Sequence, residues 1–357
     1  MTVHHADIGI LYPDRMRRQW PDDVAHAMRA RGRSVAVLAD GDPAAMRMSA
    51  TVIMGQPRAF RKTGKLLERA GLARPPTLLW LWEPLPPPDL PGWARALGVA
   101  LSPATLGVNR AKAITRPLTW PVYVGLGRLG LSRFGRDSLD VKNLRLTFEN
   151  LAFVLRGIKR GWITKVGVST VQKQRYLAAL GLDPVFVPVG QQASFGRILD
   201  RKRDIDVLFI GQTSSPSRRR KLDASVSEME RLGLRVVVST DAGFGDERTE
   251  LVNRAKVMLH VHHYPWDTPW MRWNLASANG AAMVSEPLSD PEPLIPGTDY
   301  LEAEIDGLPQ VVCDLVNQDG VWETMAGRCA AKLETEMSFA QSIDRILREL
   351  DDMRRAG

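Results

Sequence analysis

The stretch Asp206-Val-Leu-Phe-Ile-Gly211 decides the fold, because it is an apolar run that ends in glycine and leads into a basic helical pattern at Arg218-Arg-Arg-Lys221. Two further apolar runs follow, Val257-Met-Leu-His-Val-His262 and Ala281-Ala-Met-Val-Ser-Glu286, with helical patterns before each of them. Apolar runs that end in turn residues and alternate with helical patterns indicate parallel β-α units. Ligands bind outside the carboxyl ends of such strands, so we expect the functional groups there.

The first half of the chain repeats the same alternation. Apolar runs occur at Asp7-Ile-Gly-Ile-Leu-Tyr12 and Thr77-Leu-Leu-Trp-Leu-Trp82, and further strand and helix patterns lie between and after them. A polar, basic segment from Gly190 to Arg203 separates the two halves. The sequence therefore predicts an α/β protein with two Rossmann-like parallel-sheet domains, residues 1–198 and residues 199–357, the second carrying the C-terminal helices.

The composition is that of a globular protein, with 44% hydrophobic and 25% charged residues. No apolar run approaches the roughly 20 residues of a membrane-spanning helix, and the start shows no secretory signal. The cysteines, Cys313 and Cys329, argue against a disulfide framework or a structural zinc site and favour a reducing cytoplasm. The net charge of +8 indicates a polyanionic partner, which leaves a nucleotide, a nucleic acid or an anionic membrane surface open.

Candidates for phosphate binding follow the first apolar run of the second half. Gly211 lets the backbone turn closely, Gln212 opens the polar turn, and Arg219 and Lys221 lie in the first turns of the next helix. A helix N-terminus binds phosphate through free N–H groups and a partial positive charge, whereas cations there oppose the dipole unless an anion is present. An anion site explains this pattern, and a solvated basic face is the alternative.

The later strand ends supply further candidates. Either His262 or His263 donates to a ligand oxygen, or the histidine is structural, and the missing further ligands lead us to expect no metal. Arg272, in a helix with Asn274, suits a diphosphate through two parallel hydrogen bonds. Glu286 accepts from ribose or sugar hydroxyls, or it is a surface turn residue. Either base stacking or core packing explains the tryptophans of this region, which are Trp266, Trp270 and Trp273.

Two features of the first half also bear on function. Glu83 follows an apolar run directly, at the carboxyl end where ligands of parallel sheets bind. Residues 92–141 mix basic, aromatic and small residues, most clearly over 116–135. Two interpretations of this segment stay open. It is a surface that rests on an anionic membrane or holds an apolar acceptor, or it is an irregular excursion packed on the first domain.

Together these motifs resemble the donor-binding domain of glycosyltransferases with the GT-B fold, particularly the group-1-like and CgeB-like proteins. The resemblance rests on the strand, Gly turn and basic helix over 207–221, on Leu251-Val-Asn-Arg-Ala-Lys-Val-Met-Leu-His-Val-His262, and on the stretch from Arg272 through Asn279-Gly280 to Glu286. It implies two Rossmann-like domains that face a cleft, with an acceptor site on the first domain, a donor site on the second, and a last helix that returns toward the first domain.

The resemblance implies transfer of a sugar from a nucleotide-sugar donor to an unidentified sugar, lipid-linked or small-molecule acceptor, with no cofactor and no metal. If the reaction inverts, Glu83 of the first domain is the candidate general base. One departure matters, because many retaining members hold the donor ribose with a glutamate at the position of Leu275. The alternative is therefore a catalytically inactive GT-B-like nucleotide-binding protein. The basic and aromatic residues form no recognised reading module, which argues against nucleic acid. We expect a cytoplasmic protein, with peripheral contact at the inner membrane face as the membrane interpretation of residues 92–141.

Overall fold

The chain folds into two compact units, Met1–Pro188 with Ala340–Gly357, and Val189–Phe339. The segment from Gly190 to Arg203 packs within the second unit, where Arg203 Nη1 donates to Val252 O at 3.2 Å. The boundary therefore precedes the predicted one at residues 198 and 199, and the last helix belongs to the first unit. The computed structural model describes residues 6–13, 19–102, 112–130, 141–240 and 245–356.

The first unit contains a six-stranded parallel sheet with the order β2-β1-β3-β4-β5-β6. Its strands are β1 (Ile8–Tyr12), β2 (Val35–Ala39), β3 (Ala50–Met54), β4 (Thr77–Leu81), β5 (Lys165–Val168) and β6 (Val185–Phe186). Its helices are α1 (Gln19–Arg29), α2 (Arg61–Ala70), α3 (Gly92–Ala100), α4 (Lys112–Gly130), α5 (Val141–Lys159), α6 (Val171–Ala178) and the C-terminal α12 (Phe339–Ala356). Short 3₁₀ helices occur at Pro43–Arg47, Pro57–Ala59 and Gly71–Ala73.

The second unit contains a five-stranded parallel sheet with the order β11-β10-β9-β7-β8. Its strands are β7 (Ile205–Ile210), β8 (Val236–Ser239), β9 (Ala255–His260), β10 (Ala282–Ser285) and β11 (Leu301–Glu302). Its helices are α7 (Pro216–Arg231), α8 (Asp246–Asn253), α9 (Trp270–Ala278), α10 (Leu308–Val316) and α11 (Val321–Glu336), with a 3₁₀ helix at Ala193–Phe195. The strand order reverses between β1 and β3 in the first sheet and between β7 and β9 in the second. The predicted pair of Rossmann-like sheets is confirmed.

Each sheet has its own hydrophobic core. Every residue of β3 and β4 is buried, as expected of central strands that are covered on both faces. Leu79 of β4 shares the core of the first unit with Phe153 of α5. Phe209 of β7 shares the core of the second unit with Leu222 of α7 and Leu259 of β9. The apolar runs that predict the strands therefore also supply the cores.

The described part of residues 92–141 is helical, so the prediction of an irregular excursion is wrong there. Tyr123 of α4 donates its hydroxyl proton to Gly98 O of α3 at 3.0 Å, and its ring lies 5.6 Å from that of Phe148 in α5. This packing overrides the weak helix propensity of prolines such as Pro121. Residues 131–140 lie outside the described part. No described helix combines the length and the apolar character that crossing a bilayer requires.

Asn279 anchors the entry of the chain into the second unit. It follows α9 and is fully buried. Its Nδ2 donates to Phe195 O at 2.9 Å and to Leu275 O at 2.7 Å, and its Oδ1 accepts from Asn253 Nδ2 at 2.9 Å. Polar groups from three segments therefore meet at one amide, and a buried polar group left without a partner is costly.

We expect Asn279→Ala to lower the free energy of unfolding by about 1–3 kcal/mol, because it removes the side-chain donor to the Phe195 carbonyl in a buried position. Asn317→Ala is the matched control, since Asn317 also follows a helix but is exposed, and we expect a change within about 0.5 kcal/mol. Urea denaturation followed by circular dichroism measures both. Equal effects of the two substitutions would contradict the role given to Asn279.

Candidate functional site

The candidate site lies where the strands of the second sheet end. Gly211 directly follows β7, His262 comes shortly after β9, and Glu286 directly follows β10. The parallel register pairs His260 with Ser285, and the amide of Glu286 donates to His260 O at 3.3 Å. The sheet reverses its strand order between β7 and β9, which is where open α/β sheets bind ligands. The topology therefore gathers groups that are distant in the sequence.

Arg218 crosses this edge as a buried guanidinium group. Its Nε donates to Val261 O at 3.0 Å and its Nη1 donates to Gln212 O at 2.8 Å, so it links the ends of β9 and β7. Its guanidinium carbon lies 4.9 Å from the centre of the Phe209 ring, within the range of a cation–π interaction. Burial lowers the pKa of Arg218 to about 10, although the charge of Glu286 opposes the shift. Among the described residues its buried Nη2 has no hydrogen-bond partner.

Arg272 approaches the same ring from α9. Its Nη1 donates to Ile210 O at 2.5 Å, and its guanidinium carbon lies 5.5 Å from the centre of the Phe209 ring. Burial lowers the pKa of Arg272 to about 9, and the charge of Arg218 adds to the shift. A lowered pKa means that the surroundings disfavour the charged form of the group. Guanidinium groups nevertheless stay protonated at neutral pH, so an anion beside them would relieve the unfavourable charge.

Gly211 allows Arg272 to come this close to the strand end. A Cβ atom at Gly211 would lie 2.3 Å from Nη2 of Arg272, which is shorter than any normal contact. The φ angle of Gly211 is +152°, a conformation that residues with a side chain rarely adopt. Gly211 and Arg272 were predicted separately from the sequence, and the close position of Arg272 requires a glycine at 211.

Glu286 holds the ends of β9 and β10 to α7. Its Oε1 accepts from Lys221 Nζ at 2.7 Å, and its Oε2 accepts from the amide of His262 at 2.6 Å. Only 6% of Glu286 is exposed, which rules out the interpretation as a surface turn residue. A carboxylate has more than two lone pairs, so Glu286 keeps capacity to accept from a hydroxyl group.

His262 is held in one tautomer. Its Nε2 lies 2.8 Å from Pro287 O, and a carbonyl oxygen only accepts, so Nε2 carries the proton. Burial lowers the pKa of His262, although the charge of Glu286 opposes the shift. The neutral ring leaves Nδ1 as an acceptor, and this buried atom has no partner among the described residues. The ring therefore suits acceptance from a ligand hydroxyl better than the predicted donation to a ligand oxygen.

The remaining predicted donor residues differ in position. Arg219 is exposed and holds the turn, with Nε donating to Thr213 O at 3.1 Å. Gln212 exposes its side chain and offers its carbonyl to Arg218. Asn274 is fully buried, and its Nδ2 donates to Trp270 O at 3.0 Å within α9. The hydrogen bonds at the strand ends thus join Lys221, His262 and Glu286, while that of Asn274 stays inside its helix.

Core packing, rather than base stacking, accounts for the tryptophans near the site. Trp266, Trp270 and Trp273 are 4%, 3% and 0% exposed. His260 packs against Trp273 with ring centres 5.4 Å apart, and burial together with the charge of Arg272 holds the pKa of His260 well below its usual value. Within the described residues, no group of three or more His, Cys, Asp or Glu is suited to hold a metal.

Sequence reasoning selected Arg219 and Lys221 from the basic run and passed over Arg218. The signal that identifies Arg218 is helical spacing. It lies on one stripe of α7 with Leu222, Ser225 and Met229, and this stripe is the buried one. A basic residue that lies on the buried face of a helix, next to the end of a strand, loses contact with water at that position.

Glu83 lies in the first unit, in the loop after β4, and is partly buried. Lys173 Nζ donates to Trp82 O at 3.0 Å, and Asn150 Nδ2 donates to Pro84 O at 3.1 Å. The backbone on both sides of Glu83 is therefore fixed by buried side chains.

The fold is similar to that of a solved protein. HepE of Anabaena in complex with UDP and glucose matches with a TM-score of 0.57 and 12% identity, over 98% of this chain and 100% of that chain. Its complex with UDP-glucose gives the same values, and its complex with UDP gives 0.56 over 97% and 100%. No family model and no curated protein sequence matches the chain. The predicted GT-B fold is confirmed, whereas the group-1-like or CgeB-like grouping stays a prediction.

We expect Gly211→Ala to displace Arg272 and to reduce the rise in melting temperature that a compact anion causes. For the wild type we expect inorganic pyrophosphate to raise the melting temperature, because a ligand that binds only the folded protein stabilises it. Gly233→Ala is the matched control, because Gly233 also has a positive φ of +84° but its Cβ would meet nothing within 4 Å. Both variants lose stability from the strained backbone, and only Gly211→Ala loses the gain from pyrophosphate. A full gain in Gly211→Ala would show that Arg272 is not part of an anion site.

Proposed function

We propose that the protein is a glycosyltransferase that moves a sugar from a nucleotide-sugar donor to an acceptor. The observation that carries this proposal is a pair of guanidinium groups, one on buried Arg218 and one on half-buried Arg272, which lie over the Phe209 ring at the switch point of the second sheet. Desolvated positive charge at this edge suits a diphosphate, which guanidinium groups bind through paired hydrogen bonds.

The chemistry of transfer explains why such charge is needed. The acceptor oxygen forms a bond to the anomeric carbon and loses its proton, the bond between the anomeric carbon and the diphosphate oxygen breaks, and the electron pair of that bond goes to the departing diphosphate. Positive groups that are already fixed in place stabilise this developing charge without reorganising. Arg218 and Arg272 supply it, together with the partial positive charge at the N-terminus of α7, while exposed Arg219 extends the positive field. We therefore propose metal-independent transfer, in which fixed cations neutralise the leaving group.

The hydroxyl groups of the donor would be recognised beside the diphosphate. Glu286 and Nδ1 of His262 offer acceptors there, and Lys221 fixes the Glu286 carboxylate. The exposed Gln212 side chain faces solvent on the same turn. Asn274 takes a supporting role, because its hydrogen bond lies inside α9.

The HepE structures support the choice of donor for a first test. That protein was solved with UDP, with UDP and glucose, and with UDP-glucose. A shared fold does not fix the sugar, so UDP-sugars come first and GDP- and dTDP-sugars follow.

We assign the acceptor side to the first unit, with Glu83 as the general base if the reaction inverts the anomeric centre. The fixed backbone around Glu83 supports this role, because a general base must be held within reach of the acceptor proton. The acceptor is a sugar, a lipid-linked molecule or another small molecule. Two free cysteines, Cys313 and Cys329, support a cytoplasmic location.

One observation favours the alternative of an inactive nucleotide-binding protein. Leu275 stands where the resemblance places a ribose-binding glutamate, and it is buried with 7% exposed. An apolar side chain there holds no ribose hydroxyl. The two functions share the donor site and differ only in turnover, so nucleotide release from a panel of nucleotide-sugars separates them.

We expect Arg272→Ala to weaken UDP or GDP binding by about 1.5–3 kcal/mol, the range for hydrogen bonds to charged groups. Arg272→Lys should recover only part of the loss, because an ammonium group cannot form the planar two-point contact. Since Arg272 also bonds to Ile210 O, stability falls as well, and affinity must be measured on folded protein. Arg220→Ala, an exposed change on α7, is the control. Calorimetric titration beside a melting curve measures both, and unchanged affinity with lost stability would make Arg272 purely structural.

We expect Glu83→Gln to retain nucleotide affinity while turnover falls by about 10²–10⁴-fold, the usual contribution of a general base. Asp89→Asn is the control, because Asp89 is an exposed carboxylate in the same loop. Nucleotide release and calorimetric titration are measured on the same samples. Unchanged turnover in Glu83→Gln would remove its catalytic role, and no turnover of any donor by the wild type would favour the inactive alternative.

A further inference from the structure

His260 ends β9 as a buried histidine, and neither nitrogen atom of its ring has a hydrogen-bond partner among the described residues. The residue is 2% exposed, and its ring centre lies 5.4 Å from that of Trp273 and 5.2 Å from that of His262. A neutral imidazole has one N–H group that donates and one nitrogen that accepts. Buried polar atoms without a partner are uncommon in folded proteins, so packing alone does not account for a histidine at this position.

The backbone around His260 anchors the two arginines of the candidate site. Arg218 Nε donates to the carbonyl of Val261, the residue after His260, at 3.0 Å. β9 pairs in parallel with β7, and their register, continued to the strand ends, places Ile210 opposite His260. The carbonyl of Ile210 accepts from Arg272 Nη1. His260 therefore lies between the backbone groups that hold the two guanidinium groups.

Within the described chain, the charged and titratable groups that act on the His260 ring are bases. Arg272 acts from α9, Arg218 acts from α7, and His262 and His263 act from the chain after β9. Burial, together with these bases, holds the pKa of His260 well below its usual value. The free protein therefore carries His260 in its neutral form.

The carboxylate at the end of β10 does not offset these bases at the ring. The oxygen atoms of Glu286 accept from Lys221 Nζ at 2.7 Å and from the amide of His262 at 2.6 Å, whereas the ring nitrogens of His260 stay unpaired. A negative charge that stabilises protonated His260 therefore has to come from a ligand.

We propose that His260 is a proton-binding group coupled to the anion site, and that it takes up one proton from solvent when a diphosphate binds to Arg218 and Arg272. The bound diphosphate offsets the positive charge that both guanidinium groups direct at the ring, which favours the charged imidazolium form. The coupling is reciprocal, so protonation of His260 strengthens anion binding by the same factor. The proposal rests on the anion site of the proposed function and does not depend on turnover.

The coupling gives the affinity for a diphosphate a defined dependence on pH. The pKa of His260 is lower in the free protein than in the complex, so binding takes up a proton. Affinity therefore rises as the pH falls from the pKa of the complex to that of the free protein, and it is independent of His260 outside this interval. We expect the ligand to raise the pKa of His260 by about one unit, which corresponds to about tenfold stronger binding at the acidic end.

Nuclear magnetic resonance of the full chain with isotope-labelled histidine measures this pKa directly. The signal of His260 is assigned through its ring contact with Trp273. Its pH titration is recorded for the protein alone, with UDP-glucose and with sodium sulfate. Neither ligand changes its own charge in the range where histidine titrates, so a proton taken up on binding belongs to the protein. We expect both ligands to raise the pKa of His260.

Calorimetric titration with UDP-glucose over the same pH range measures the affinity. His260→Gln should lose the pH dependence of binding. His262→Gln should bind more weakly but keep that dependence, because the proposal assigns the proton to His260. His26→Gln is the control that should match the wild type, since His26 is exposed on α1 of the first unit.

A pKa of His260 that neither UDP-glucose nor sulfate changes would overturn the proposal. A pH dependence that persists in His260→Gln and disappears in His262→Gln would overturn it as well. The wild-type titration decides the question even if His260→Gln does not fold. A raised pKa of His260 without nucleotide release from any donor would support the coupled proton and contradict the glycosyltransferase. Nucleotide release without a change in this pKa would support the glycosyltransferase and contradict the coupled proton.

Discussion

Two guanidinium groups share one aromatic ring at the edge of the second sheet, and the surrounding structure is arranged to hold them there. Arg218 and Arg272 both lie over Phe209, and their hydrogen bonds go to backbone carbonyls at the ends of β7 and β9. Gly211 lacks the side chain that would displace Arg272. Burying like charges side by side is unfavourable unless an anion compensates, and perturbed cations of this kind cluster at functional sites. A diphosphate would supply that anion, which is why we propose that the leaving group binds there.

The sequence predicts most of this architecture because strand ends in parallel sheets converge. Gly211, His262 and Glu286 follow apolar runs, and that position alone brings them to one edge. The sequence did not single out Arg218, because four adjacent basic residues cannot be distinguished until the buried face of α7 is identified. The sequence did not predict helices α3 and α4, because their glycines and prolines disfavour a helix. Only the packing of Gly98 and Tyr123 against neighbouring helices overrides that preference.

The residues predicted to bind a ligand fall into two groups, according to the contacts that they already make within the protein. Arg272 and Glu286 serve structure and site together, since each holds strand ends and retains capacity for a ligand. Asn274 and the nearby tryptophans are buried, and no sequence pattern distinguishes a core aromatic residue from one that stacks on a base. For Leu275 the sequence is the informative source, because its departure from the family pattern is visible there. Its effect on turnover depends on which other groups hold the ribose.

A crystal structure of the protein with UDP tests the central claim most directly. The account predicts diphosphate oxygens within about 2.7–3.2 Å of guanidinium nitrogens of both Arg218 and Arg272, the usual hydrogen-bond range. It also predicts ribose hydroxyls on the side of Glu286 and His262. A nucleotide bound at another edge of the second sheet, or on the first unit, with both guanidinium groups left without an anion, would contradict the account.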